Sequence, residues 1–182
     1  MRLLDSTRRL FTAARTRLSR AGGDSAALAP HLELGRRGEL LAAEHLRANG
    51  YKLVASNFKL VVGRNRRGAV VQAEIDLVAY DGPVVCFVEV KTRASDRFAA
   101  PEANVDLRKQ RQVTRAARAY RRMLGLSGTP HRYDVVSVVL PPPATEGDAP
   151  APRLELFRGF WTEDKFRKRR WSDSHNVRNR ER

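Results

Sequence analysis

The chain predicts an α/β fold, a mixed β-sheet flanked by α-helices, and three observations carry that expectation. Apolar residues recur at helical spacing from Leu34 to Asn49 and again from Asp106 to Leu124. Between these stretches, Tyr51 to Thr92 holds runs rich in β-forming residues, parted by glycine-bearing turns. A later run, Tyr133 to Leu140, is apolar almost throughout, as a strand inside a sheet is. Helix, strands, helix, strand and a short edge strand thus follow one another in one domain spanning residues 30–162.

Each element has a local cause. Leu34, Leu41 and Leu46 fall on one side of the first helix, with Ala42 between them, and Gly50 supplies its left-handed cap. Tyr51–Val62 reads as one or two strand segments, and residues 63–68 as a glycine-bounded turn bearing Arg64, Arg66 and Arg67. Ala69–Tyr80 is a long strand, turned back by Asp81-Gly82-Pro83 into Val84–Thr92 as an antiparallel hairpin. Asp106 caps the second helix and Gly125 ends it. Val113, Ala116, Ala117, Tyr120 and Leu124 form its apolar stripe, while Arg108, Arg111, Arg115, Arg118 and Arg122 take the remaining surface. Residues 141–152 form a Pro/Ala/acidic loop, and Arg153–Phe157 alternates as a short edge strand.

Composition bounds the partner. Among 182 residues, 35 Lys and Arg stand against 20 Asp and Glu, a formal charge of +15. Such a surplus repels itself unless an anion is expected, and a polyphosphate fits best. The single cysteine, Cys86, excludes an intramolecular disulfide and a zinc finger, and reads as a small buried hydrophobe. His31, His45, His131 and His175 lack ligand spacing. No apolar stretch reaches membrane-spanning length and no signal-type apolar region follows the start, so a cytoplasmic location is expected. Residues 1–29 form a basic extension in which Leu4, Phe11 and Leu18 recur as a weak amphipathic pattern. A partly disordered arm is the preferred reading, ahead of a transit peptide or a membrane-surface helix. Residues 163–182 form a basic, loose tail.

The chemistry is concentrated in Glu74-Ile75-Asp76-Leu77 and, across a turn, Phe87-Val88-Glu89-Val90-Lys91. Strand alternation puts Glu74 and Asp76 on one face with Ile75 and Leu77 on the other, and likewise sets Glu89 and Lys91 together. If Tyr80 pairs with Val85, the same register sets Asp76 directly across from Glu89, with Cβ atoms about 5 Å apart. Two such carboxylates repel and require a cation or a shared proton. An oxygen-only ligand set with open positions suits Mg²⁺ or Mn²⁺, and Lys91 can reach the same pocket to assist a water or a phosphate. Spacing alone leaves open a plain alternative, a surface strand whose acids form salt bridges with Lys91 and nearby arginines.

At these residues the chain resembles the restriction-endonuclease-like superfamily, whose signature is Asp followed by (Asp/Glu)-x-Lys on the next strand. More narrowly it resembles the UPF0102 (YraN-like) family, a predicted endonuclease family related to archaeal Holliday junction resolvases. The likeness runs from Gly35-Arg36-Arg37-Gly38-Glu39 through Asn57-Phe58, Glu74–Ala79, Phe87–Arg93 and Lys109-Gln110 to Arg132–Val136. It implies Asp76 and Glu89 as principal metal ligands, Glu39 as a first-helix acid facing the pocket, and Lys91 as the catalytic lysine. Gln110 would be a secondary polar group near the phosphate. For Glu39, a surface ion pair with Arg36 or Arg37 is an equal alternative, and Glu74 is either a further ligand or a salt-bridge partner. One departure is local: Ala73 stands where the family tends to have glycine, and the arginine-bearing stretch before it is longer.

The function expected on this basis is metal-dependent hydrolysis of DNA phosphodiester bonds, selective for structure such as branches rather than for sequence. Arg64, Arg66, Arg67, Arg111, Arg115 and Arg118 would grip flanking phosphates, and a resolvase-like role implies a homodimer. The rivals are a DNA-binding protein that uses this fold without cutting and an RNA- or ribosome-associated factor. Carboxylates facing a phosphate favour the enzyme, since a pure binder has no use for them.

Overall fold

The computed structural model describes residues 29–95, 105–141 and 151–166. The N-terminal extension, nearly all of the Pro-rich loop and most of the basic tail lie outside the described residues.

Helix α1 spans Pro30–Ala48, starting before the leucine pattern because Pro30 suits the first turn, where its missing N–H has no helical partner to lose. It ends where the Asn49 amide donates to the His45 carbonyl at 2.8 Å and Gly50 turns left-handed at φ 83°. Strands β1 (Lys52–Arg64), β2 (Val70–Asp81) and β3 (Val84–Arg93) follow, with β1 a single bulged strand. Helix α2 covers Leu107–Met123, and the Asp106 side chain caps it by accepting the Lys109 N–H at 2.7 Å. Strand β4 (His131–Val139) lies parallel to β3, and β5 (Arg153–Trp161) closes the far edge antiparallel to β4. The sheet order is β1-β2-β3-β4-β5. Strand β5 extends beyond the expected Phe157 because Trp161 stacks on Tyr133, ring centres 4.9 Å apart.

Alternation along β3 feeds two cores on opposite faces of the sheet. Cys86, Val88 and Val90 pack with Ala42, Ala43 and Leu46 of α1. Val85 and Phe87 pack with Val113, Ala116, Ala117 and Tyr120 of α2. Cys86 is the buried small hydrophobe expected of it, and burial pushes its thiol up to about 12. Helix α1 comes close to the sheet at Gly38, where an added Cβ would lie 2.7 Å from the Thr92 Cβ. Gly38→Ala is therefore expected to cost about 1–3 kcal/mol by forcing helix and strand apart. Chemical denaturation measures this, and an unchanged midpoint would show that the helix tolerates the methyl.

One expectation is corrected. Ile75 and Leu77 do not share a face: Leu77 lies in the α1-side core and Ile75 in the α2-side core. The cause is Asn57, which adopts φ 50° at the position in register with Asp76, between the pairs Ser56–Leu77 and Phe58–Ile75. Asparagine is among the few side chains that tolerate this left-handed conformation, and it turns the ribbon over at that point.

The chain after β5 is tied down by Glu163, in the short 3₁₀ helix Glu163–Phe166. Its carboxylate accepts from Tyr133 Oη (2.6 Å), Arg118 Nε (2.8 Å) and Arg121 Nη1 (3.2 Å), with His131 Nε2 at 3.2 Å. Burial alone would raise this carboxyl; the Tyr133 hydroxyl and the Arg118 guanidinium outweigh burial and hold it below its ordinary 4.5. A depressed carboxylate stabilises the fold above the unfolded value and loses that contribution as pH falls through the folded one. Glu163→Gln should therefore melt below wild type at pH 7, with the gap closing as pH drops below 4.5. A gap independent of pH would assign the effect to shape rather than charge.

Candidate metal centre

The site forms where β2 leaves β3. Their ladder runs from Asp81–Val84 through Tyr80–Val85 to Leu77–Val88, the register expected from the turn. Continued one step, that register sets Asp76 across from Glu89, but there β3 turns to pair with β4 alone. In the fork the Asp76 side chain replaces the missing backbone partner, its Oδ2 accepting the Val90 N–H at 2.9 Å. Asp76 and Glu89 are buried, 9% and 5% exposed, so neither stands on an exposed strand face.

The ammonium in contact with this pair belongs to Lys109, in the first turn of α2. Its Nζ lies 2.9 Å from Glu89 Oε1 and 3.7 Å from Asp76 Oδ1. Burial raises the Glu89 carboxyl well above its ordinary range and the Asp76 charge raises it further, against the pull of Lys109. For Lys109, burial lowers the ammonium, yet Asp76 and Glu89 outweigh burial and leave it raised. The other Glu89 oxygen, Oε2, is buried without a hydrogen-bond partner. An orphan acceptor of this kind costs about 1–3 kcal/mol, more when charged.

Glu39 reaches the same region from α1. Its Oε2 accepts from Asn57 Nδ2 at 2.8 Å, not from Arg36 or Arg37. Burial raises its carboxyl; the Asn57 amide opposes this, and Asp76 and Glu74 raise it further. Among the described residues no three His, Cys, Asp or Glu side chains are grouped closely enough to hold an ion. Asp76 and Glu89 meet as a pair at the Lys109 ammonium, and Glu39 is hydrogen-bonded to Asn57.

Lys91 lies two residues beyond Glu89, half-buried and opposite Ser137 of β4. Gln110 is buried; its Nε2 donates to the Val105 carbonyl at 2.7 Å and its Oε1 accepts from Lys165 at 3.4 Å, so it braces the start of α2. Glu74 forms an exposed ion pair with Lys59 at 3.7 Å. Two residues escaped sequence reasoning as to role. Nothing in the spacing around Lys109 or Asn57 assigns these roles, and the one usable signal is the tolerance of asparagine for a left-handed turn.

Both carboxylates lie within reach of one ammonium, and one Glu89 oxygen is buried without a hydrogen-bond partner. Carboxylate oxygens are the ligands a hard divalent cation takes, and this pair would supply two side chains of that kind. Such an ion takes its remaining ligands from water and phosphate.

Residues 38–138 match the model of the uncharacterised protein family UPF0102. A UPF0102 protein of Koribacter versatilis is 39% identical over 128 residues, 70% of this chain and 78% of that protein. One from Chlorobium limicola is 41% identical over 110 residues, 60% of this chain and 77% of the relative. One from Symbiobacterium thermophilum is 43% identical over 105 residues, 58% of this chain and 80% of the relative. The five-stranded mixed sheet with its two helices is consistent with a restriction-endonuclease-like domain. By sequence, the chain belongs to the UPF0102 family.

Proposed function

We propose that this protein is a metal-dependent endonuclease hydrolysing DNA phosphodiester bonds, with structured DNA such as branches as its substrate. The observation that carries the reading is the buried convergence of Asp76 and Glu89 in a chain of formal charge +15. Burying two acids side by side is costly, and carboxylates repel the phosphates that the rest of the surface attracts. A cation offsets both costs. Bound Mg²⁺ or Mn²⁺ would activate water and neutralise charge on the phosphate. Asp76 and Glu89 would hold it, and the Val90 N–H fixes the orientation of Asp76. Glu39, hydrogen-bonded to Asn57, adds a further negative charge near the pair. Lys91 would support charge developing on the phosphate, and a homodimer would present two such sites to a branched substrate.

One observation favours a second reading, a binding module that does not cut: Lys109 already neutralises the acid pair, as a structural ion pair would. A cleavage assay separates them, using duplex, single-stranded, flap and four-way DNA with Mg²⁺, Mn²⁺ or EDTA. The endonuclease reading expects cleavage that EDTA stops and Asp76→Ala removes. Equal cleavage by wild type and variant would expose a contaminant, and binding without any cleavage would select the module.

A further inference from the structure

The β2–β3 ladder begins only at Leu77, so residues 70–75 of β2 pair with β1 alone. The two strands continue past the rest of the sheet as a ribbon about 20 Å long, at roughly 3.3 Å per residue. Its underside is covered: Phe58, Leu60, Val62 and Ala73 pack against the α2-side core, and the Phe58 ring meets Tyr120 edge-on at 5.2 Å. Its outer face is open, with Lys59, Val61, Arg64, Val70 and Gln72 exposed.

The tip of this ribbon is built, not slack. Asn65 Oδ1 accepts the N–H groups of Arg67 (2.9 Å) and Ala69 (3.0 Å), and its carbonyl accepts that of Gly68 at 3.0 Å. Arg64 Nη1 closes the turn on the Gly68 carbonyl at 2.7 Å. Arg64 is thereby a staple of the turn, while Arg66 and Arg67 stand exposed at its end. Arg115 of α2 lies beside the ribbon at Gly63 and is exposed as well. Arg111, over the Phe166 ring, and Arg118, bound to Glu163, are engaged within the fold. The one acid along the ribbon, Glu74, is paired with Lys59.

We propose that this ribbon lies along the duplex flank of a DNA substrate, with Arg66 and Arg67 on its phosphates and Arg115 at its root. The proposal rests on the DNA partner named above but not on catalysis. The open face offers no aromatic ring for base stacking, since Phe58 is turned inward, and single strands are held largely by such rings. A two-stranded ribbon fits a duplex groove, and a tip already closed by hydrogen bonds loses little freedom on contact. The grip falls about 20 Å from the acid pair, near six base pairs at roughly 3.4 Å each.

Fluorescence anisotropy with the full chain in EDTA tests this, titrating a labelled duplex and the corresponding single strand across a range of KCl. The Arg66→Gln/Arg67→Gln double variant should lower the slope of log K against log salt on duplex by nearly two, about 0.9 per phosphate lost. Arg115→Gln should lower it by roughly one more, with the single-strand slopes unchanged. A wild-type slope in the double variant, or an equal change on single strands, would overturn the proposal. Because no cleavage is needed, a wild type that cuts nothing but shows this change would sink the endonuclease reading and support the ribbon.

Discussion

Replacing Asp76 with alanine is expected to abolish Mg²⁺- or Mn²⁺-dependent DNA cleavage, by about a thousandfold or more, while binding in EDTA stays near wild type. Asp76 has two duties in the structure. It supplies one half of the acid pair, and its Oδ2 satisfies the Val90 N–H where the ladder has ended. Alanine removes both, so lost activity could reflect a collapsed fork. Asp76→Asn separates them, because its amide oxygen still accepts from Val90 while the negative charge is gone. It should melt close to wild type and remain inactive. Lys91→Ala should match it in activity if that ammonium supports the phosphate. Activity in Asp76→Asn equal to wild type would end the metal-ligand assignment.

Lys109→Gln should bind Mn²⁺ about tenfold more tightly than wild type and be less stable without metal by about 1–3 kcal/mol. The Lys109 ammonium holds the place between Glu89 and Asp76 that a cation would take, so an incoming ion must first displace it. Removing it leaves the two acids without that positive charge, and their mutual repulsion then favours any divalent cation. Glutamine keeps length and polarity and drops the charge. Manganese EPR or calorimetry reads the affinity, and melts with EDTA or Mn²⁺ read the stability. Unchanged affinity would show that ammonium and metal do not share a place; weaker binding would make Lys109 an ally of the ion.

The register beneath this site is legible in the sequence. The Gly82-Pro83 turn sets the register from Asp81–Val84 to Leu77–Val88, which continued one step would bring Asp76 level with Glu89. Alternation also sent Val88 and Val90 into one core, as β3 shows. Where alternation failed, at Ile75 and Leu77, a left-handed Asn57 on the neighbouring strand had turned the ribbon over. No pattern within β2 itself encodes that change.

Local chemistry was enough to mark both helices by apolar period and cap, the hairpin by its turn, and the acid pair by register. These depend on residues a few positions apart, whose constraints can be read along the chain. Packing between distant segments settled the rest. It put Lys109 rather than Lys91 in contact with the acids, gave Glu39 to Asn57, and tied the end of β5 to α2 through Glu163. Such contacts follow from where the sheet forks and how each helix lies across it. Those are properties of the assembled molecule, and no single segment carries them.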